Sequence, residues 1–344
     1  MGPMSFYWSG QALASGDEYA NTWAFAAIKD DGSVVTWGHQ DYGGNSAGVD
    51  FSGGVQTIYS TTHAFAALKN DGSVVTWGYG LSGGDSSAVA EALSSDVCAV
   101  YSNAGAFAAV KSDGSVVTWG EPASGGNSGA VVGLENVVSI FSTDSAFAAI
   151  KSDGTVVTWG DPDYGGDSSA VRGALGNDVA FIYSNPRAFA AIKADGSVVT
   201  WGDPSGGGDS DSVQTALGSG VVSITANGGA FAALKDDGSV VTWGEAFYGG
   251  NSGAVSAALS SGVVQVFATE SSFAALKDDG SVVTWGVGEG GNSSAVASQL
   301  TSGVLMIWST QDAYAALKDD GSIVTWGDPA KGGNSSSVSG ALTD

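Results

Sequence analysis

Apolar residues fall along this chain in blocks of five or six, each stopped by a short polar turn. In residues 137–159 the blocks are Val137-Val138-Ser139-Ile140-Phe141-Ser142, Ala146-Phe147-Ala148-Ala149-Ile150-Lys151 and Thr155-Val156-Val157-Thr158-Trp159. The first and third are rich in β-branched and aromatic side chains, which suit a pleated surface. The second and third are joined through Ser152-Asp153-Gly154. Asp-Gly is a hairpin signal because the turn needs a positive φ, which glycine adopts without steric cost. Three strands per unit are therefore predicted. The alanine-rich blocks are too short, and end too abruptly, to be helices.

Both faces of these strands are apolar, as expected of sheets sandwiched between neighbouring sheets. Alanine-rich strands would fit where blades converge and side chains must be small.

The unit repeats. Asp-Gly-Ser-Val-Val-Thr-Trp-Gly occurs unchanged at 31–38, 71–78, 113–120, 195–202, 237–244 and 279–286, and with one change each at Thr155 and Ile323. The eight motif tryptophans, Trp37 to Trp326, are spaced by 40 to 42 residues. Eight copies at that period predict an all-β fold, a closed β-propeller of eight short-repeat blades. Seven blades with one displaced repeat is the alternative. Residues 1–4 read as a cloning remnant and 5–344 as one propeller domain. Within it, Asp17 to Asn21 is expected to be a degenerate first strand of blade one. Ser5-Phe6-Tyr7-Trp8 is expected to close the ring by pairing with the last blade, hiding an open edge.

The succession Val-x-x-Ile, Ala-Phe-Ala-Ala-x-Lys, Asp-Gly-x-Val-x-x-Trp-Gly and Gly-Gly-Asp/Asn-Ser resembles the regulator of chromosome condensation repeat over residues 12–344. In repeat length it is more similar to the propeller-type β-lactamase inhibitory protein II group. The resemblance implies the propeller fold. It leaves function open, because such propellers include a nucleotide-exchange factor, chromatin binders and enzyme inhibitors. The family's His-Ser-Leu-Ala strand start and Gly-Gln-Leu-Gly loop are replaced here, and no insertion stands out as an exchange wedge.

Charge narrows the choice. The chain of 344 residues carries 35 acidic against 11 basic side chains, a formal charge of −24. A nucleic-acid binder needs a basic stripe to displace counterions, and this field repels DNA, RNA and anionic membranes. No stretch reaches the ~18 apolar residues of a membrane helix. The partner classes are therefore a protein first and a carbohydrate second, with no nucleic acid and no membrane, and the chain is expected to be a monomer.

Chemistry is sparse. The single cysteine, Cys98, lies in the apolar run Val97-Cys98-Ala99-Val100 and is expected to be a small buried residue. His39 and His63 lie in loops and lack metal-ligand spacing. Asp161, Asp163 and Asp167 loosely follow a calcium-loop pattern that the other copies do not keep, and turn formation explains them more simply. No catalytic residue, no metal and no cofactor is assigned, and the chain is read as a non-enzyme. One lysine precedes each Asp-Gly turn, from Lys29 to Lys318, and is expected to compensate the hairpin aspartates.

Variable positions are more informative, since repeated ones must already satisfy the fold. One variable segment precedes the alanine strand and another follows the tryptophan. If strands alternate in direction, both emerge on one face, opposite the lysines. That face offers Trp23, Tyr42, Tyr79, Tyr164, Arg187, Phe247 and Tyr248, residue types that dominate interface hot spots. The leading reading is a non-catalytic protein-binding module, with enzyme inhibition as one version favoured by the resemblance. The alternatives are a carbohydrate-binding propeller lectin and a structural or designed repeat protein with no ligand.

Overall fold

The Asp-Gly turns form the hairpins their sequence requires, and every repeat becomes an antiparallel sheet. A computed structural model describes residues 19–341. It contains eight sheets, one per repeat: seven of three strands and a first sheet of two. Eight antiparallel sheets, one per repeat, are the all-β set of eight blades expected from the sequence. The sheets fall into two compact units, Tyr19 to Val179 and Ala180 to Ala341, each holding four sheets.

Sheet 2 illustrates the pattern, with strands Val55–Ser60, Ala64–Lys69 and Val74–Gly78. The alanine strand is the central one, paired on both edges, and is buried throughout. Alanine suits it because both its faces are covered by neighbouring sheets, and a small side chain lets those sheets approach closely.

Neighbouring sheets within a unit are joined by a repeated aromatic device. Register places Phe65 opposite Trp77 and Phe107 opposite Trp119, and each pair stacks at 5.1–5.2 Å. The indole Nε1–H then donates to a carbonyl of the preceding sheet. Trp77 bonds Gly43 at 3.0 Å, Trp119 bonds Gly83 at 3.1 Å and Trp159 bonds Gly125 at 3.1 Å. In the second unit Trp243, Trp285 and Trp326 bond Gly207, Gly249 and Gly290 likewise. Buried crossover leucines, such as Leu93 and Leu259, complete the core between neighbouring sheets.

The first sheet differs because no sheet precedes it in its unit. Its Phe25–Trp37 stack has the same geometry, 5.2 Å and 17°, but stands 59% and 46% exposed. Of the strand expected over Asp17 to Asn21, Asp17 and Glu18 lie outside the described residues, and Tyr19 to Asn21 carries no strand. The expected closing strand Ser5–Trp8 also lies outside them.

One expectation is corrected here. In the first strand of the three-stranded sheets the register shifts between the first and third residues, as between Val97 and Ala99, so the second residue is a bulge that points away from the ladder. Cys98 occupies that position and is exposed, as are Val138, Val222, Val264 and Leu305. The lysines have a second role besides the expected one. Lys29 and Lys69 approach hairpin aspartates at 3.6 and 3.9 Å, and Lys151 pairs with Glu135. In every repeat the lysine's charge, after the turn's own hydrogen bonds, helps to lower the hairpin aspartate's pKa, as expected. Lys111, Lys235, Lys277 and Lys318 also donate to crossover carbonyls 19 residues upstream, at 2.7–2.9 Å. Those carbonyls lie in the turns of the crossovers.

The hairpin aspartates serve their own turns. Asp113 Oδ1 accepts from the backbone N–H and the hydroxyl of Ser115, at 2.9 and 2.6 Å. These bonds, the hydroxyl's first, hold its carboxyl below the usual range, and the same holds for the equivalent aspartate of every repeat, Asp31 to Asp320.

A compensation between positions is also visible. The residue before the first strand of each three-stranded sheet has positive φ: glycine at Gly54, Gly220, Gly262 and Gly303, but Asp96, Asn136 and Asp178 elsewhere. A Cβ on Gly303 would lie 2.7 Å from Asp319 Oδ1. Where Asp96 and Asn136 do carry a Cβ, the facing hairpin residue is the smaller Ser112 or Ser152, bonded through the backbone at 2.8 and 2.9 Å. Gly303→Asp is therefore expected to cost about 2 kcal/mol, roughly half from the left-handed backbone and the rest from crowding. Adding Asp319→Ser should restore the second part in urea unfolding, and no recovery would reject the compensation.

Candidate functional site

Antiparallel strands bring the loop between first and second strands to the same end as the loop after the third. A side chain then ties the two together. Asn103 Oδ1 accepts from the N–H groups of Gly105 and Ala106, and its Nδ2 donates to the Ser124 carbonyl at 2.7 Å. Asn185 and Asn227 do the same toward Gly206 and Tyr248, and Thr61 and Thr143 use a hydroxyl toward Ser82 and Tyr164. The first position of each "variable" segment is thus structural, always Asn or Thr, and only the two residues after it are free to vary.

The second loop is pinned as well. The Asn or Asp after Gly-Gly accepts from the N–H two residues on, as at Asn45, Asp85, Asn127 and Asp167. The serine that follows bonds the strand threonine, as in Thr76–Ser86 at 2.9 Å and Thr118–Ser128 at 2.9 Å. Asp161 accepts from Asp163 N–H at 3.0 Å. The Asp161 and Asp167 carboxylates therefore act in turns, and among the described residues no group of three or more His, Cys, Asp or Glu is arranged to hold a metal.

Backbone bonds carry the first loops across successive sheets. Thr22 N–H donates to Thr62 O, Thr62 N–H to Ala104 O, and Ala104 N–H to Asp144 O, each at 3.1 Å. In the second unit Gly228 donates to Glu270 and Glu270 to Gln311. Each unit therefore offers a rigid loop platform. Tyr19 joins that of the first unit: its hydroxyl donates to Asp144 at 2.7 Å and its carbonyl accepts from Ser60 Oγ. Burial, then the adjacent Asp144 carboxylate, pushes the phenol well above its ordinary value.

On the first platform five rings meet around Tyr42. Its centroid lies 4.5 Å from His39, 4.8 Å from His63, 5.9 Å from Tyr79 and 6.0 Å from Trp23. The loops bearing them are fixed through the backbone: His39 N–H to Trp23 O, Tyr79 N–H to His63 O, and Asn21 Nδ2 to Tyr42 O, at 2.8–3.0 Å. The His63 ring is held by the Thr62 hydroxyl at 2.9 Å. Trp23 and Tyr79 nonetheless remain 56% and 42% exposed. Three of the seven sequence candidates thus form one patch. Both histidines of the chain, read from sequence as unremarkable loop residues, belong to it.

The other candidates are placed differently. Tyr164 is half-buried on the loop of sheet 4, and its carbonyl accepts from Thr143. Arg187 pairs with Asp203 at 3.7 Å. Phe247 is exposed against the edge of Tyr248, whose own ring lies over Gly228 and Gly229 and packs on the core of sheets 6 and 7.

No protein-family model and no curated protein matches the sequence. Among solved structures, the chain is similar to yeast RCC1 (Prp20), crystallised bound to Kap60, at 18% identity, covering 67% of this chain and 70% of that one with a TM-score of 0.40. It is similar to the CRINKLY WD40 ectodomain of the Arabidopsis thaliana receptor kinase ACR4 at 15% identity, covering 92% and 96%, TM-score 0.39. It is also similar to the computationally designed Ika8 protein at 15% identity, covering 93% and 98%, TM-score 0.37.

Proposed function

We propose that this chain is a non-catalytic protein-binding module whose divergent loop tips recognise a partner. The observation that carries the reading is the cluster around Tyr42: five rings on rigid loops, with Trp23 and Tyr79 turned to solvent. Exposed aromatic anchors on a preorganised surface bind at low entropic cost, and such residues are the usual hot spots, each worth about 2 kcal/mol or more when centrally buried. Inhibition of a target enzyme is one form such recognition would take.

A quantitative pull-down comparing the wild type with Trp23→Ala/Tyr79→Ala tests this. Both side chains are exposed, so the variant is expected to keep its circular dichroism and melting temperature. Partners retained by the wild type should be depleted at least about tenfold by the variant. Identical retention by both proteins would remove the patch from the function. A glycan array read with the same pair separates the lectin alternative.

A further inference from the structure

Building on that reading, we infer that the Tyr42 patch receives a cationic peptide segment, one that presents a lysine or arginine to the rings. Two observations on the first unit converge here. The first is the rings themselves: the exposed Trp23 and Tyr79 flank Tyr42 and leave aromatic surface open to solvent. Aromatic faces attract ammonium and guanidinium groups through the ring quadrupole, most strongly for tryptophan.

The second is the distribution of fixed charge. The loop tips of this unit carry Asp41, Glu121, Asp144, Asp161 and Asp163 and no lysine or arginine. All four lysines of the unit precede the hairpins at the opposite end, where Lys69, Lys111 and Lys151 are already engaged with Asp71, the Ala92 carbonyl and Glu135. Arg172 follows the crossover turn Ser169–Val171. An approaching cation therefore meets carboxylates without a competing cation on the same platform. Asp41, exposed and adjacent to Tyr42 in the chain, is the carboxylate nearest the rings in sequence. An anionic partner would meet the reverse. A neutral sugar could stack on Trp23 but would gain nothing from the five carboxylates as charges.

The test uses the full chain and a fluorescein-labelled peptide of three Gly-Arg repeats, with three Gly-Glu repeats as its counterpart. Binding is read by anisotropy at about 150 mM salt, where the Debye length is ~8 Å and diffuse attraction to the net negative charge is largely screened. The Arg peptide should bind and the Glu peptide should not. Trp23→Ala/Tyr79→Ala, which leaves the charge untouched, should weaken binding about tenfold, and Asp41→Asn by a few fold. Equal affinity of wild type and double variant would overturn the proposal, because the peptide would then be reading net acidity alone. Binding of a neutral oligosaccharide, but of neither peptide, through Trp23 and Tyr79 would overturn it in favour of the lectin. If neither peptide binds while the pull-down still depends on Trp23 and Tyr79, the cationic chemistry falls and the protein-binding reading stands.

Discussion

Replacing Trp119 by alanine is expected to destabilise the protein by about 3–5 kcal/mol, whereas the same substitution at Trp37 should cost about 1 kcal/mol or less. The two residues occupy the same place in the repeated octapeptide. Trp119 is 4% exposed, stacks on the fully buried Phe107 and donates its indole N–H to Gly83 of the preceding sheet. Its removal leaves a cavity between two sheets and an unpaired buried carbonyl, each with its own cost. Trp37 keeps the stack on Phe25 but stands half in water, so truncation forfeits little burial. Urea unfolding of the two variants measures the difference. Comparable losses would mean that the face formed by Phe25 and Trp37 is covered in solution.

That contrast shows what the sequence could and could not reveal. Eight copies of one octapeptide made the sheets legible, since Asp-Gly fixes the hairpin and the apolar blocks fix the strands. The common end of the variable loops followed from strand direction alone. Facing was harder. Cys98 looks buried by its apolar neighbours, yet one inserted residue in the strand turns it outward, and a bulge leaves no mark in composition. The lysines' charge compensation of the hairpin aspartates is legible, but not the carbonyl 19 residues upstream that several of them also bond, because that acceptor is near in space and not in sequence.

The candidate patch was half legible. Trp23, Tyr42 and Tyr79 stand out as large side chains at divergent positions. His39 and His63 were passed over because each was judged alone, against metal spacing. Their shared signal was their place: each lies in a loop that also bears or faces one of the chosen aromatics, and the packing of sheet 1 on sheet 2 closes the remaining distance. The structural role of Asn21, Thr61 and Asn103 also had a readable sign, because only Asn or Thr occurs at that position in all eight repeats. Both side chains can accept from a backbone N–H, which makes the pair a cap and not a variation.

The same logic predicts a second large contrast, at glycine. Gly83→Ala is expected to cost about 2–5 kcal/mol, and Gly332→Ala about 1–2 kcal/mol. Both glycines have the left-handed backbone of the Gly-Gly loop, with φ of 96° and 105°, so both substitutions incur the same strain. They differ in what a Cβ would meet. At Gly83 it would lie 2.5 Å from Cδ2 and 2.7 Å from Cε2 of Phe107, a ring already wedged against Trp119. At Gly332 the nearest atom is Thr310 Cγ2 at 3.9 Å, an ordinary contact. The Phe107 ring is fully buried and cannot retreat without moving the central strand, so the added methyl should push the two sheets apart and lengthen the Trp119–Gly83 bond. Urea midpoints for the two variants decide the matter. Equal losses at both sites would mean that the ring yields, and that backbone strain alone keeps glycine at this position.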